Sequence, residues 1–131
     1  FKLPIVKDDL RQLSKNDFKC FAGIKSHFAM TAHILYSKID NQNNGTHSKI
    51  LIKKIIRKKI RFKGILISDD ISMKALKFKL VENAKLALES GCNLVLYCAG
   101  KTSDVKKLLK VTPYIDSFTK KKTSEFYKFL S

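Results

Sequence analysis

Residues 64–73 read GILISDDISM, an apolar run that stops on two adjacent acids, Asp69 and Asp70, directly after Ser68. A carboxylate that closes a buried strand can attack as a nucleophile or move a proton. In alternating α/β architectures ligands bind at the carboxyl ends of the parallel strands, so a polar group there is a site candidate. His33, near the end of an earlier apolar segment, and Cys98, at the end of a later one, meet the same criterion. Strand side chains alternate sides, which places Ile65, Ile67 and Asp69 on one face and Leu66, Ser68 and Asp70 on the other. The two aspartates are therefore not equivalent. Asp70 precedes ISMKAL and could cap a helix or favour its positive end, Asp69 could be a solvated turn residue, and His33 a packed strand-end histidine. His27 and His47 lack partners at useful spacing and are read as structural or exposed; Met30 and Met73 are read as core or pocket wall.

The elements that must position these groups alternate. An extended start, 1–10, precedes a helix over 11–26 that ends near Gly23, built on Leu13, Phe18, Phe21 and Ile24. HFAMTAHILY, 27–36, reads as the first strand, and the polar stretch 37–48 as a loop whose Thr46 or Ser48 caps a helix over 49–61. GILIS, 64–68, is the second strand; a helix over 80–90 stops at Gly91; the third strand is 92–98. Helices over 103–112 and 122–130 complete the chain. Continuously apolar strands alternating with helices predict a parallel sheet covered on both faces, or part of a (β/α)₈ barrel. The five glycines are isolated, so there is no glycine-rich phosphate loop.

At 131 residues the chain is one domain, about half the usual length of a (β/α)₈ barrel. The 27 Lys and Arg against 11 Asp and Glu give a net charge of +16, which raises a second reading, a basic module that binds polyanions without catalysis. The lysines recur at helical spacing among Ile and Leu in residues 51–63, 101–110 and 119–129, so solvated helix faces account for them and nucleic acid is not the expected partner. Cys20, Cys92 and Cys98 are odd in number and lack metal-type spacing; Cys92 and Cys98 on one strand are too far apart to bridge. Reduced thiols in a cytoplasmic protein are expected. No apolar stretch approaches the roughly 18 residues of a membrane span. A first residue of Phe1 rather than Met suggests a fragment.

The run FKGILISDDISM, 62–73, preceded by RKKIR, resembles the strand-seven signature of family-three glycoside hydrolases, and closely that of the bacterial β-N-acetylglucosaminidases (β-hexosaminidases) of peptidoglycan recycling. MTAHILYSKID, 30–40, is similar to their strand-six segment, and AKLALESGCNLVLYC, 84–98, to their helix-seven and strand-eight segment. The resemblance implies that residues 1–131 are the C-terminal part, about strands six to eight, of a (β/α)₈ TIM-barrel glycosidase domain. It implies a retaining exo-glycosidase acting on amino-sugar or muropeptide substrates without metal or cofactor. Asp69 corresponds to the nucleophile, with Ser68 and Asp70 as structural support and His33 and Met73 as substrate-binding candidates. A retaining mechanism also needs a group that protonates the leaving oxygen and later activates water. In the resembling enzymes that group is a histidine, two residues after an aspartate, on a loop after strand five. FKLPIV at residues 1–6 looks like the segment that follows this loop, so the expected Asp-x-His lies upstream of Phe1 and the isolated chain is expected to be inactive.

Overall fold

The computed structural model describes residues 2–131; Phe1, the first residue of FKLPIV, lies outside the described residues. In chain order come β1 (Ile5–Val6), α1 (Leu10–Lys15), a 3₁₀ turn (Phe18–Phe21), β2 (Phe28–Met30), β3 (Leu35–Tyr36) and a π-helix (Leu51–Lys59). These are followed by β4 (Ile65–Asp70), α2 (Leu80–Ser90), β5 (Leu94–Leu96), α3 (Thr102–Leu109) and α4 (Ser117–Leu130).

The apolar run before the acids forms the central strand. β4 pairs in parallel with β2 on one side, Phe28 opposite Ile65 and Met30 opposite Ile67, and with β5 on the other. On the β5 side Ile67 faces Leu94 but Asp70 faces Leu96, so β4 carries one residue more than its partner over that step, a bulge of the kind that re-aims side chains near active sites. β1 and β3 form a separate parallel pair, Ile5 opposite Leu35 and Val6 opposite Tyr36. All pairings are parallel, and the covering elements bury apolar clusters against them. Leu66 packs with Ile52, Ala87 and Cys92; Ile71 with Ala84 and Leu108; Leu13, Phe18, Leu51 and Ile55 form a third cluster.

Several elements differ from the expectation. The single strand over 27–36 splits in two. The chain turns out of the sheet after Met30, with Ile34 N–H returning to the Ala32 carbonyl at 2.9 Å, because the Thr31 and His33 side chains enter buried hydrogen bonds. Gly45 packs against this turn; a Cβ there would lie 2.7 Å from the Ala32 carbonyl oxygen. The helix over 11–26 stops at Lys15. Asp9 and Gln12 form a capping box at its start, Asn16 and Asp17 interrupt it, and the 3₁₀ turn takes over. The helix over 49–61 is wound wide, Ile60 N–H reaching the Ile55 carbonyl at 2.8 Å, and Ser48 rather than Thr46 caps it, accepting from Leu51 N–H at 3.1 Å. α4 starts five residues before the expected 122, where Asp116 accepts from Thr119 N–H at 2.6 Å. α2 has the expected bounds, ended by Gly91 at φ 119°.

Candidate active site

The three strands of the sheet end on one edge, and the groups predicted there are found there. Asp69 and Asp70 close β4, His33 follows the end of β2, and Cys98 follows β5. Asp69 is half-buried. One of its carboxylate oxygens accepts from the Asp70 N–H at 2.8 Å. Its own N–H donates to the Thr31 hydroxyl at 3.2 Å. The residue borders a cleft of about 530 Å³ whose walls include Pro4, Ala32, His33, Met73 and Lys74. Met73, 43% exposed, is a wall of this cleft, whereas Met30, 56% exposed, belongs to neither core nor cleft.

Asp70 does not border that cleft, and both of its carboxylate oxygens are engaged. Its carboxylate accepts from the Ser72 N–H at 2.9 Å, from the Ser72 hydroxyl at 2.8 Å, and from the Cys98 N–H at 3.3 Å. Burial raises its pKa, but those bonds and the nearby His33 outweigh burial and hold the carboxyl below the usual carboxylate range. No helix begins at ISMKAL for Asp70 to cap. Residues 71–78 form turns, and Asp70 caps one of them while tying β4 to the residues after β5. Ser68 is fully buried, and its hydroxyl accepts the Leu96 N–H at 2.9 Å, within the step where the β4–β5 register slips.

His33 is 4% exposed and both ring nitrogens are engaged, Nε2 with the Asp70 carbonyl at 2.9 Å and Nδ1 with the Thr46 hydroxyl at 2.8 Å. No ring nitrogen is free for a sugar, and what the ring offers the cleft is carbon surface. His47, expected to lack a partner, is buried and bonds Asn44 at 3.3 Å; burial first, and then the nearby His33, push its pKa down to about 4. His27 packs its ring on Phe126 and Phe129. The Cys98 thiol is pushed up by desolvation and by the charges of Asp70 and Asp69, and the Cys92 thiol to about 12 by burial; neither is a ready nucleophile. Thr31 was not singled out from the sequence, and Thr46 was read there only as a possible helix cap. Their only signal there was position, a hydroxyl residue two before His33 and one before His47.

Two larger concavities carry no comparable chemistry. One, of about 680 Å³, is bordered by Asp40, His47 and Glu89. The other, of about 780 Å³, gathers Lys25, Lys59, Arg61, Lys63 and Lys122 at the amino edge of the sheet. Neither borders Asp69.

Residues 1–120 match the glycosyl hydrolase family 3 N-terminal domain. The chain belongs to glycosyl hydrolase family 3. Among relatives, a β-hexosaminidase of Haemophilus influenzae is 40% identical over 87 residues, 63% of this chain and 24% of that protein. One of Idiomarina loihiensis is 32% identical over 112 residues, 81% of this chain and 34% of that protein. The family 3 chain thus spans about a quarter to a third of the length of these curated relatives. Its fold is similar to that of CbsA from Thermotoga neapolitana, with a TM-score of 0.81 and 27% identity over 99% of this chain and 33% of that one. It is also similar to NagZ from Neisseria gonorrhoeae in complex with N-trifluoroacetyl-D-glucosamine, with a TM-score of 0.77 and 26% identity over 93% of this chain and 35% of that one. The α/β arrangement with parallel strands is that of the family's barrel domain.

Proposed function

We propose that this chain supplies the nucleophile-bearing part of a retaining exo-glycosidase that releases terminal β-linked N-acetylglucosamine from peptidoglycan fragments. One observation carries the reading. The Asp69 carboxylate lies at the carboxyl edge of a parallel sheet, steadied by one backbone N–H and bordering a cleft, in a chain whose relatives are named β-hexosaminidases. In this reading a carboxylate oxygen of Asp69 attacks the anomeric carbon, the bond to the leaving oxygen breaks as that oxygen takes a proton, and water later releases the sugar from the glycosyl-enzyme. The Asp70 N–H holds one carboxylate oxygen in place at 2.8 Å. Met73 offers the sugar an apolar wall.

Among the described residues the cleft has no second carboxylate and no free imidazole nitrogen. The acid/base group is therefore proposed to come from the portion of the relatives' length that this chain does not span, and the 131 residues alone to be inactive. The same reading takes β2, β4 and β5 as the sixth to eighth strands of the barrel, residues 1–131 as one incomplete barrel domain, and the unpaired cysteines as fitting the cytoplasm. Family membership does not favour a purely polyanion-binding module, despite the basic concavity.

The test uses a chain of the relatives' full length carrying these residues and a chromogenic β-N-acetylglucosaminide. Asp69→Ala should lower turnover by roughly 10⁴-fold or more, and azide entering the vacated space should restore part of it as the glycosyl azide. Unchanged turnover would sink the reading.

A further inference from the structure

We infer that Thr31, Thr46 and His33 act together as positioning residues for Asp69, gripping the backbone of the Asp69-Asp70 pair at both ends. The inference rests on the reading of Asp69 as nucleophile.

The chain of contacts is continuous. Asp69 N–H donates to Thr31 Oγ1 at 3.2 Å; Thr31 Oγ1 lies 2.9 Å from Thr46 Oγ1, and Thr46 Oγ1 lies 2.8 Å from His33 Nδ1. His33 Nε2 closes the circuit on the Asp70 carbonyl oxygen at 2.9 Å. Its direction is fixed from both ends. A carbonyl oxygen only accepts, so Nε2 carries the proton, and in the neutral ring Nδ1 then accepts. Thr46 must donate to Nδ1 and accept from Thr31, which accepts from the Asp69 N–H. Each hydroxyl proton has one place to go, and Thr31, Thr46 and His33 are all buried.

The sheet holds this dipeptide only in part, through the pairing of Asp70 with Leu96. On the β2 side the regular ladder ends where Thr31 N–H meets the Ile67 carbonyl at 2.9 Å. On the β5 side the register slips between Ile67 and Asp70. Asp69 thus sits where the regular ladder has failed on both flanks, and buried side chains from the loops after β2 and β3 replace it. Holding the N–H of one residue and the carbonyl of the next fixes the peptide between them, and with it the direction in which the Asp69 carboxylate leaves the backbone. Nucleophile aim is worth large factors in rate.

The experiment compares Thr46→Val, which keeps the shape and removes the hydroxyl, with Thr46→Ser in a chain of the relatives' full length, with Asp69→Asn as the reference. Thr46→Val should lower kcat by about 10- to 100-fold with KM nearly unchanged, and Thr46→Ser should restore most of it. On the 131-residue chain, ¹⁵N NMR should find His33 protonated at Nε2, a readout that does not depend on the variants folding. Normal kcat in Thr46→Val while Asp69→Asn is dead would overturn the positioning role and leave the nucleophile standing. An active Asp69→Asn would remove the nucleophile and the positioning role with it. A His33 ring protonated at Nδ1 alone would break the circuit and overturn the inference.

Discussion

At the amino edge of the sheet the Arg57 guanidinium donates to the Phe62 carbonyl at 3.2 Å, the Gly64 carbonyl at 2.7 Å and the Asn93 side-chain oxygen at 2.7 Å, with the Phe62 and Phe118 rings against it. Asn93 in turn accepts from Leu66 N–H at 2.9 Å and donates to Thr119 at 3.1 Å, so one cation stitches the π-helix, β4, β5 and α4 together. At the carboxyl edge a network of similar size leaves one carboxylate, Asp69, underused beside a cleft. The first network is closed, with its strong donor aimed at fixed acceptors. The second is closed everywhere except at the group that would do chemistry. The difference separates a polar cluster that joins elements from one that aims a reactive atom.

The sharpest way to break that comparison is to exchange the expected phenotypes. Asp69→Ala should abolish turnover while shifting unfolding free energy by less than about 1 kcal/mol, because it removes a half-buried carboxylate with one accepted bond. Arg57→Ala should do the reverse, costing about 3 kcal/mol in denaturant unfolding of the same chain, because it strips the donors from two carbonyls and leaves the Asn93 oxygen only its bond from Leu66 N–H. A stable Arg57→Ala chain would show that the amino edge is not the joint described.

Acid separates the edges next. His47 has a folded pKa of about 4 against the ordinary 6.5, so the unfolded chain binds the extra proton between these values. The stability it contributes is fully present above about pH 6.5 and is lost as pH falls towards 4, by up to about 3 kcal/mol. His47→Gln should flatten that part of the pH-stability curve; an unchanged slope would assign it to other groups. The smallest effect is expected from Ser72→Ala, which removes a hydroxyl shared by both Asp70 oxygens and should cost about 1 kcal/mol. It should also raise the Asp70 pKa, read by ¹³C NMR titration. Asp70 is held low in the fold, so its contribution is present above the ordinary carboxylate pKa and lost on acidification below it.

What the sequence made legible was local. The β4 run, the α2 bounds and the Gly91 stop each follow from a few neighbouring residues, and so does the inequivalence of the two aspartates. The broken first strand was not legible, because HFAMTAHILY is apolar enough for a continuous strand. It breaks because Thr31 and His33 find partners 38 and 37 residues away, at Asp69 and Asp70 respectively. The missing helix after Asp70 has a similar cause. The Asp70 carboxylate is engaged by Ser72 and by Cys98, 28 residues on, which favours turns over a helical start. The early start of α4 had a signal in Asp116, three residues before Thr119, that the flanking Pro113-Tyr114 break obscured. In the site, position at a strand end picked out Asp69 and His33, and Met73 was read as core or pocket wall, but hydroxyls acting across the sheet left no periodic trace.

The slipped register beside β5 also accounts for the doublet of acids. Between Ile67 and Asp70 the strand has two residues where β5 has one between Leu94 and Leu96. The spare position lets adjoining carboxylates take separate jobs, one bordering the mouth, the other bonded into the frame. Trimming the strand by one residue there would leave room for only one of them.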